Sequence, residues 1–188
     1  MAPILTDDSF DIITHSQTQT QRIGQKLGAM LRPGDVVCLI GDLGSGKTCL
    51  TQGIGASLQV DGIISSPTFV IVNEYPIRAS GPSLYHVDLY RINEPAEIMA
   101  LGLDDYMYGN GVTVIEWAER GTEYLPDERL WITLSYLDYT KRCLIFEAQG
   151  EHYIEIVHKL RAELYGKGKT RDRSLDDQGE PTAAIGGE

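Results

Sequence analysis

Positive charge is scarce in this chain of 188 residues: 16 lysines and arginines face 27 aspartates and glutamates, for a net charge of -11. Phosphate neutralisation by basic side chains supplies most nucleic-acid affinity, so tight binding of RNA or DNA by this chain alone is disfavoured. An acidic surface suits a basic protein partner instead. Cysteine is also sparse. Cys38, Cys49 and Cys143 are odd in number and form no C-x-x-C pair, which fits neither a disulfide framework nor a zinc site and implies reduced thiols. The four histidines, His15, His86, His152 and His158, lack metal-ligand spacing, and structural roles are expected for them. No stretch approaches the roughly 20 apolar residues of a membrane span. The opening MAPILTDDSFD places an acidic pair where a signal peptide needs basic residues, so a cytoplasmic protein that contacts no membrane is expected.

What is present is enough apolar material, 42% of residues, for one globular core. Phe10 to Thr14 reads as a short strand, followed by Ser16 and Gln19 in capping-box spacing. The next helix carries Ile23, Leu27, Met30 and Leu31 on one face, and Pro33-Gly34 is expected to stop it. Asp35 to Ile40 contains the run VVCLI, the pattern of a strand buried on both faces of a parallel sheet. A helix to about Leu58 follows a glycine-rich loop.

Thr68 to Tyr75 and Leu84 to Tyr90 read as paired strands around an Arg78 to Ser83 turn. Glu94 to Leu103 is a predicted helix with Pro95 in its first turn, and Gly111 to Trp117 another buried strand. A hairpin over Arg129 to Leu137 and Arg142 to Ala148 precedes a helix through Ile154, Val157, Leu160 and Leu164. The expected architecture is α/β, a three-layer P-loop-like sandwich around a mixed, largely parallel sheet. Residues 1–165 form its domain, and residues 166–188, with few scattered apolar side chains, read as a disordered tail.

The segment Gly41 to Thr48, GDLGSGKT, satisfies G-x-x-x-x-G-K-[ST] between a buried-strand pattern and a helical one. Gly41, Gly44 and Gly46 permit the turns that converge backbone amides, with that of Ser45, on phosphate oxygens. Lys47 is expected to reach the β- and γ-phosphates, and the Thr48 hydroxyl to ligate Mg2+. Such a loop needs a carboxylate near the metal, and two candidates stand at strand ends: Asp88 and Glu116. Either can hold the metal, directly or through water, while the other orients the attacking water; an ordinary salt-bridged carboxylate is the alternative for each. Glu116 ends the more apolar run, whereas His86, Asp88 and Tyr90 share one face of an alternating strand.

Ser66-Pro67-Thr68-Phe69 offers Thr68 as a γ-phosphate sensor, against a plain turn. Trp117 packs over the nucleotide or a partner, or simply in the core. Arg91 reads as a surface residue before a partner of phosphate or Glu116. Neither Asn-Lys-x-Asp nor Leu-Ser-Gly-Gly-Gln occurs, which favours adenine nucleotide. The lack of an arginine-rich lid favours ATP hydrolysis over a small-molecule kinase.

Taken in order, GDLGSGKT at 41–48, SPTF at 66–69 leading into VNEY at 72–75, HVDLYR at 86–91 and IEWAE at 115–119 closely resemble the TsaE (YjeE) family. Ser16, Thr20 and Gly24 match its first helix, so the likeness spans about residues 10 to 160. The resemblance implies an ATPase that works with TsaB-like and TsaD-like subunits in making threonylcarbamoyladenosine in tRNAs reading codons that begin with A, touching tRNA only through that complex. It implies that Lys47 grips phosphate, that Thr48 and Glu116 form the Mg2+ site, that Asp88 and Trp117 serve activity, and that Thr20 lies near ATP. Ser45 and Cys49 depart from the commoner alanine and threonine; Cys49 would be thiol-sensitive if exposed. A nucleotide-gated switch, with Ser65 to Asn73 as its moving part, is the rival reading.

Overall fold

The computed structural model describes residues 8–77 and 81–166. Seven strands form one sheet in the order β1-β7-β6-β2-β5-β4-β3. They are β1 (Ser9–Thr14), β2 (Val36–Ile40), β3 (Val72–Tyr75), β4 (Ser83–Asp88), β5 (Gly111–Glu116), β6 (Arg129–Tyr136) and β7 (Arg142–Gln149). β6, β2, β5 and β4 are mutually parallel, and the outer pairings β1–β7, β7–β6 and β4–β3 are antiparallel. β1 therefore runs with the central four, and only β3 and β7 oppose them.

Alternation along the strands divides the apolar residues between two layers. Val37 and Leu39 of β2, with Val112 and Val114 of β5, face α1 (Gln17–Gly28), α2 (Lys47–Leu58) and α5 (Glu151–Tyr165). Val36, Cys38 and Ile115 face the other way, toward α3 (Pro95–Ala100), α4 (Leu103–Met107) and a 3-10 stretch over Ala118–Tyr124. Leu39, Leu50 and Ile54 are wholly buried, each side chain contributing about 1.5–3 kcal/mol relative to exposure. The result is the expected three-layer α/β sandwich. Among the described residues no helix is long and apolar enough to cross a membrane.

Ser16 caps α1 by accepting from Gln19 N, while the Gln19 side chain returns to His15 N at 2.7 Å. The helix ends at Gly28 rather than running to Pro33. A tight turn closes first, with Asp35 Oδ2 accepting from Arg32 N at 2.9 Å and Asp35 N donating back to Arg32 O, a local alternative to helical pairing. The predicted strand from Thr68 begins only at Val72. The amides of Val70 and Ile71 both donate to Pro67 O, and Ile71 adopts φ 69°, so the chain turns where β-branched composition suggested extension. The predicted helix over Glu94–Leu103 is two short ones, broken at Gly102 with φ 61°. Trp117 lies outside its predicted strand at φ 58°, and the 3-10 stretch after it had no signal. On α5 the buried residues include Tyr153 and Ile156, whereas Ile154 is only half-buried. The tail reading for 166–188 falls, beyond Gly166, outside the described residues, as does part of the Arg78 to Ser83 turn.

Candidate nucleotide site

The carboxyl ends of β2, β4 and β5 deliver the glycine-rich loop, Asp88 and Glu116, and the segment before β3 adds Ser66 and Thr68. After Ile40 the chain enters the loop 41–46 and α2 begins at Lys47. Gly41 (φ 140°) passes so close to β6 that a Cβ would lie 2.1 Å from Leu134 O, and Gly46 (φ 106°) adopts a left-handed conformation that favours glycine. No side chain caps α2, so its first amides are open to an anion, favoured there by the helix dipole. The buried Ser45 Oγ also finds no hydrogen-bond partner among the described residues.

Lys47 is buried in the loop's hollow. Its Nζ donates to Gly41 O and to Asp42 O, and the Trp117 ring centroid lies 4.1 Å away. Burial lowers the ammonium pKa below the ordinary lysine value, opposed by the carboxylates of Glu116, Glu119, Asp88 and Asp42. Trp117 also packs on Tyr90, with ring centroids 5.0 Å apart.

Asp88 and Glu116 are register partners across the parallel β4–β5 pair, and both are buried. Their surroundings differ. Glu116 Oε1 accepts from the Thr48 hydroxyl at 2.8 Å and lies 2.8 Å from His86 Nε2. Asp88 Oδ1 accepts from Tyr90 N at 2.9 Å. Its Oδ2 lies 2.7 Å from both the Ser66 and Thr68 hydroxyls, which are themselves 2.6 Å apart. Two hydroxyl hydrogens thus serve three short contacts.

Lys47, Thr48, Thr68, Asp88, Glu116 and Trp117 line one cleft of about 360 Å³. Thr20, Gly44, Cys49, Tyr139 and Arg142 line a second hollow of about 390 Å³, which shares Gly44, Gly46 and Cys49 with the first. Thr20 is buried, 2.9 Å from the Thr14 hydroxyl. Cys49 is half-buried with Sγ 3.4 Å from Gln17 O, and burial raises its pKa to about 11, so the thiol there is not activated. Arg91 meets neither acid: its guanidinium lies over the exposed Phe69 ring at 4.4 Å. A larger hollow of about 520 Å³ over Asp8, Trp131 and Glu147 holds none of these groups.

His86 is the site residue that sequence reasoning set aside. Strand alternation already placed it on the face of Asp88, but its contact with Glu116 depends on the β4–β5 register, which no local pattern carries. Among the described residues no three His, Cys, Asp or Glu side chains cluster as a metal cage. A hydroxyl with one or two carboxylates suffices for Mg2+, which takes its other ligands from water and phosphate. Thr48 and Glu116 fit that donor set.

Comparison with known proteins bears on the family of the chain. Residues 14–144 match the family model described as threonylcarbamoyl adenosine biosynthesis protein TsaE. The tRNA threonylcarbamoyladenosine biosynthesis protein TsaE of Bacillus subtilis is 40% identical over 147 residues, covering 78% of this chain and 90% of that one. That of Streptomyces coelicolor is 44% identical over 156 residues, covering 82% and 97%. The crystal structure of Bacillus subtilis YdiB superposes with a TM-score of 0.71 at 33% identity, over 86% of this chain and 99% of that one. The chain therefore belongs to the TsaE family, whose role is in tRNA threonylcarbamoyladenosine biosynthesis.

Proposed function

We propose that this chain is a Mg2+-dependent P-loop ATPase that supports TsaB-like and TsaD-like subunits in forming threonylcarbamoyladenosine, meeting tRNA only through them. The observation that carries the reading is the Thr48 hydroxyl donating to Glu116 at 2.8 Å, directly behind a loop whose helix start is uncapped. With its hydrogen committed to Glu116, the Thr48 oxygen keeps its lone pairs for a metal. Gly41, Gly44, Ser45 and Gly46 supply the phosphate cradle, and Lys47 exchanges its two carbonyl partners for phosphate oxygens. Trp117, packed on Lys47, helps exclude water from the cleft. The metal, when bound, neutralises charge on the phosphates. Asp88, adjoining the cleft through Ser66 and Thr68, serves to hold the attacking water in line. Thr20 and Cys49 line the adjoining hollow, which is left for the rest of the nucleotide.

The test is release of phosphate from ATP by the chain alone and with the two subunits added. Slow or negligible hydrolysis alone, rising in the complex, is expected, with about a 100-fold loss for Glu116→Ala or Asp88→Ala. Activity unchanged by the subunits would remove the partnership, and wild-type rates in either variant would return that acid to a structural role.

A second reading, a nucleotide-gated switch whose hydrolysis only resets docking, is favoured by the segment Ser66–Ile71. It is held to Asp88 by contacts short of one hydrogen, turns at a β-branched residue of positive φ, and exposes Phe69 and Val70. Strain and incomplete pairing favour re-partnering. Partner affinities measured with ATP, ADP and a non-hydrolysable analogue decide it, since equal values leave no switch.

A further inference from the structure

The imidazole of His86 is fully buried on β4, two residues before Asp88, the register partner of Glu116 on the neighbouring strand β5. Nε2 lies 2.8 Å from Glu116 Oε1, while Nδ1 is buried and finds no hydrogen-bond partner among the described residues. An orphaned buried nitrogen is costly, and a leucine at this position of the apolar strand would avoid that cost. The pairing is also directional. A carboxylate accepts only, so the ring must carry a hydrogen on Nε2 to pair with Oε1. Oε1 then receives two hydrogens, from His86 and from Thr48. Among the described residues nothing donates to Oε2, and Glu116 lines the cleft.

We infer that His86 is a positioning residue for the site. It clamps Oε1 of Glu116 against the Thr48 hydroxyl, so that the carboxylate cannot rotate about its last torsion and its second oxygen stays turned to the cleft. The clamp keeps Thr48 donating backward, with its lone pairs forward. Asp88 has no equivalent freedom, because both of its oxygens are already engaged. The two acids are thereby assigned different tasks by their neighbours: Glu116 supports the metal, and Asp88 holds the Ser66 and Thr68 hydroxyls at the cleft, through which it orients the attacking water. This rests on the reading of the site as one for a magnesium nucleotide.

The experiment compares the full chain with His86→Leu and His86→Gln, by titration with a fluorescent non-hydrolysable ATP analogue with and without Mg2+, and by hydrolysis in the presence of the partner subunits. In His86→Leu the Mg2+-dependent gain in affinity is expected to fall about tenfold and turnover about 10- to 100-fold, the range for lost outer-sphere partners, with metal-free affinity unchanged. His86→Gln, which can still donate to Oε1, is expected to recover most of both. In a Glu116→Ala background the His86→Leu loss is expected to vanish, since a clamp acts only through its target. Equal Mg2+ dependence in wild type and His86→Leu, or additive losses in the double variant, would overturn the inference. If His86→Leu does not fold, the comparison passes to His86→Gln against His86→Asn, whose shorter arm cannot reach; equal behaviour of those two overturns it equally. Absence of any Mg2+-dependent nucleotide binding by the wild-type chain would instead overturn the nucleotide reading itself.

Discussion

Glu116 and Asp88 start as equivalent strand-end carboxylates and acquire different chemistry from what donates to them. Asp88 anchors two hydroxyls and a backbone amide, so removing it strands partners that are partly shielded from water. Asp88→Ala is expected to lower stability by about 1–3 kcal/mol in urea unfolding; an unchanged midpoint would show that solvent replaces the carboxylate. Thiol chemistry is set in the same way by surroundings. Burial is the chief cause raising all three cysteines, Cys38 to about 12 and Cys49 to about 11. Since reactivity follows the thiolate, whose share at a given pH falls about tenfold for each unit of pKa, Cys49 should react roughly 100-fold more slowly than a free thiol. Its alkylation by iodoacetamide at pH 8, read by peptide mass, is expected to be slow in the native chain and to rise on unfolding, whereas a native rate matching free cysteine would place Cys49 in solvent.

Helices α1 and α2 meet through glycine, and that contact sets the position of the phosphate loop. A Cβ on Gly24 would lie 2.3 Å from Leu50 O, and one on Gly53 would lie 2.2 Å from Gln21 O. Backbone on backbone leaves no flexible atom to yield. Gly24→Ala or Gly53→Ala is therefore expected to cost about 1–3 kcal/mol by overpacking, against the small gain alanine brings to an exposed helix. Thermal unfolding checks the sign, and nucleotide affinity should fall with it because α2 begins at Lys47. A stabilised Gly53→Ala would mean that the helices separate without penalty. The breaks at Gly102 and Ile71 were less legible than these helices. Composition over Glu94–Leu103 is helical, and over Thr68–Tyr75 it is β-branched; Gly102 breaks the first in a left-handed conformation, and Asp88, bonded to Ser66, Thr68 and Ile71 O, holds the second in its turn.

For the molecule as a whole, the net charge of -11 opposes approach to a polyanion. The isolated chain is expected to bind tRNA no better than about 100 µM at physiological salt in fluorescence anisotropy, and a submicromolar value would reassign RNA contact to this subunit. Whole elements such as β2, α2 and the β6–β7 hairpin could be read from sequence because their signals are local: apolar runs, glycine at fixed offsets, alternation across a turn. The phosphate loop was legible for the same reason, since its chemistry lies in eight consecutive residues. The partners of its side chains were not. His86 and Glu116 are thirty positions apart and meet only because β4 pairs with β5 in one register, and Ser66 reaches Asp88 across twenty-two. Spacing along the chain is enough to specify a grip on phosphate, because backbone amides point where φ and ψ send them. Which carboxylate oxygen is left open to the cleft is a consequence of strands packed by distant side chains, and only the folded sheet decides it.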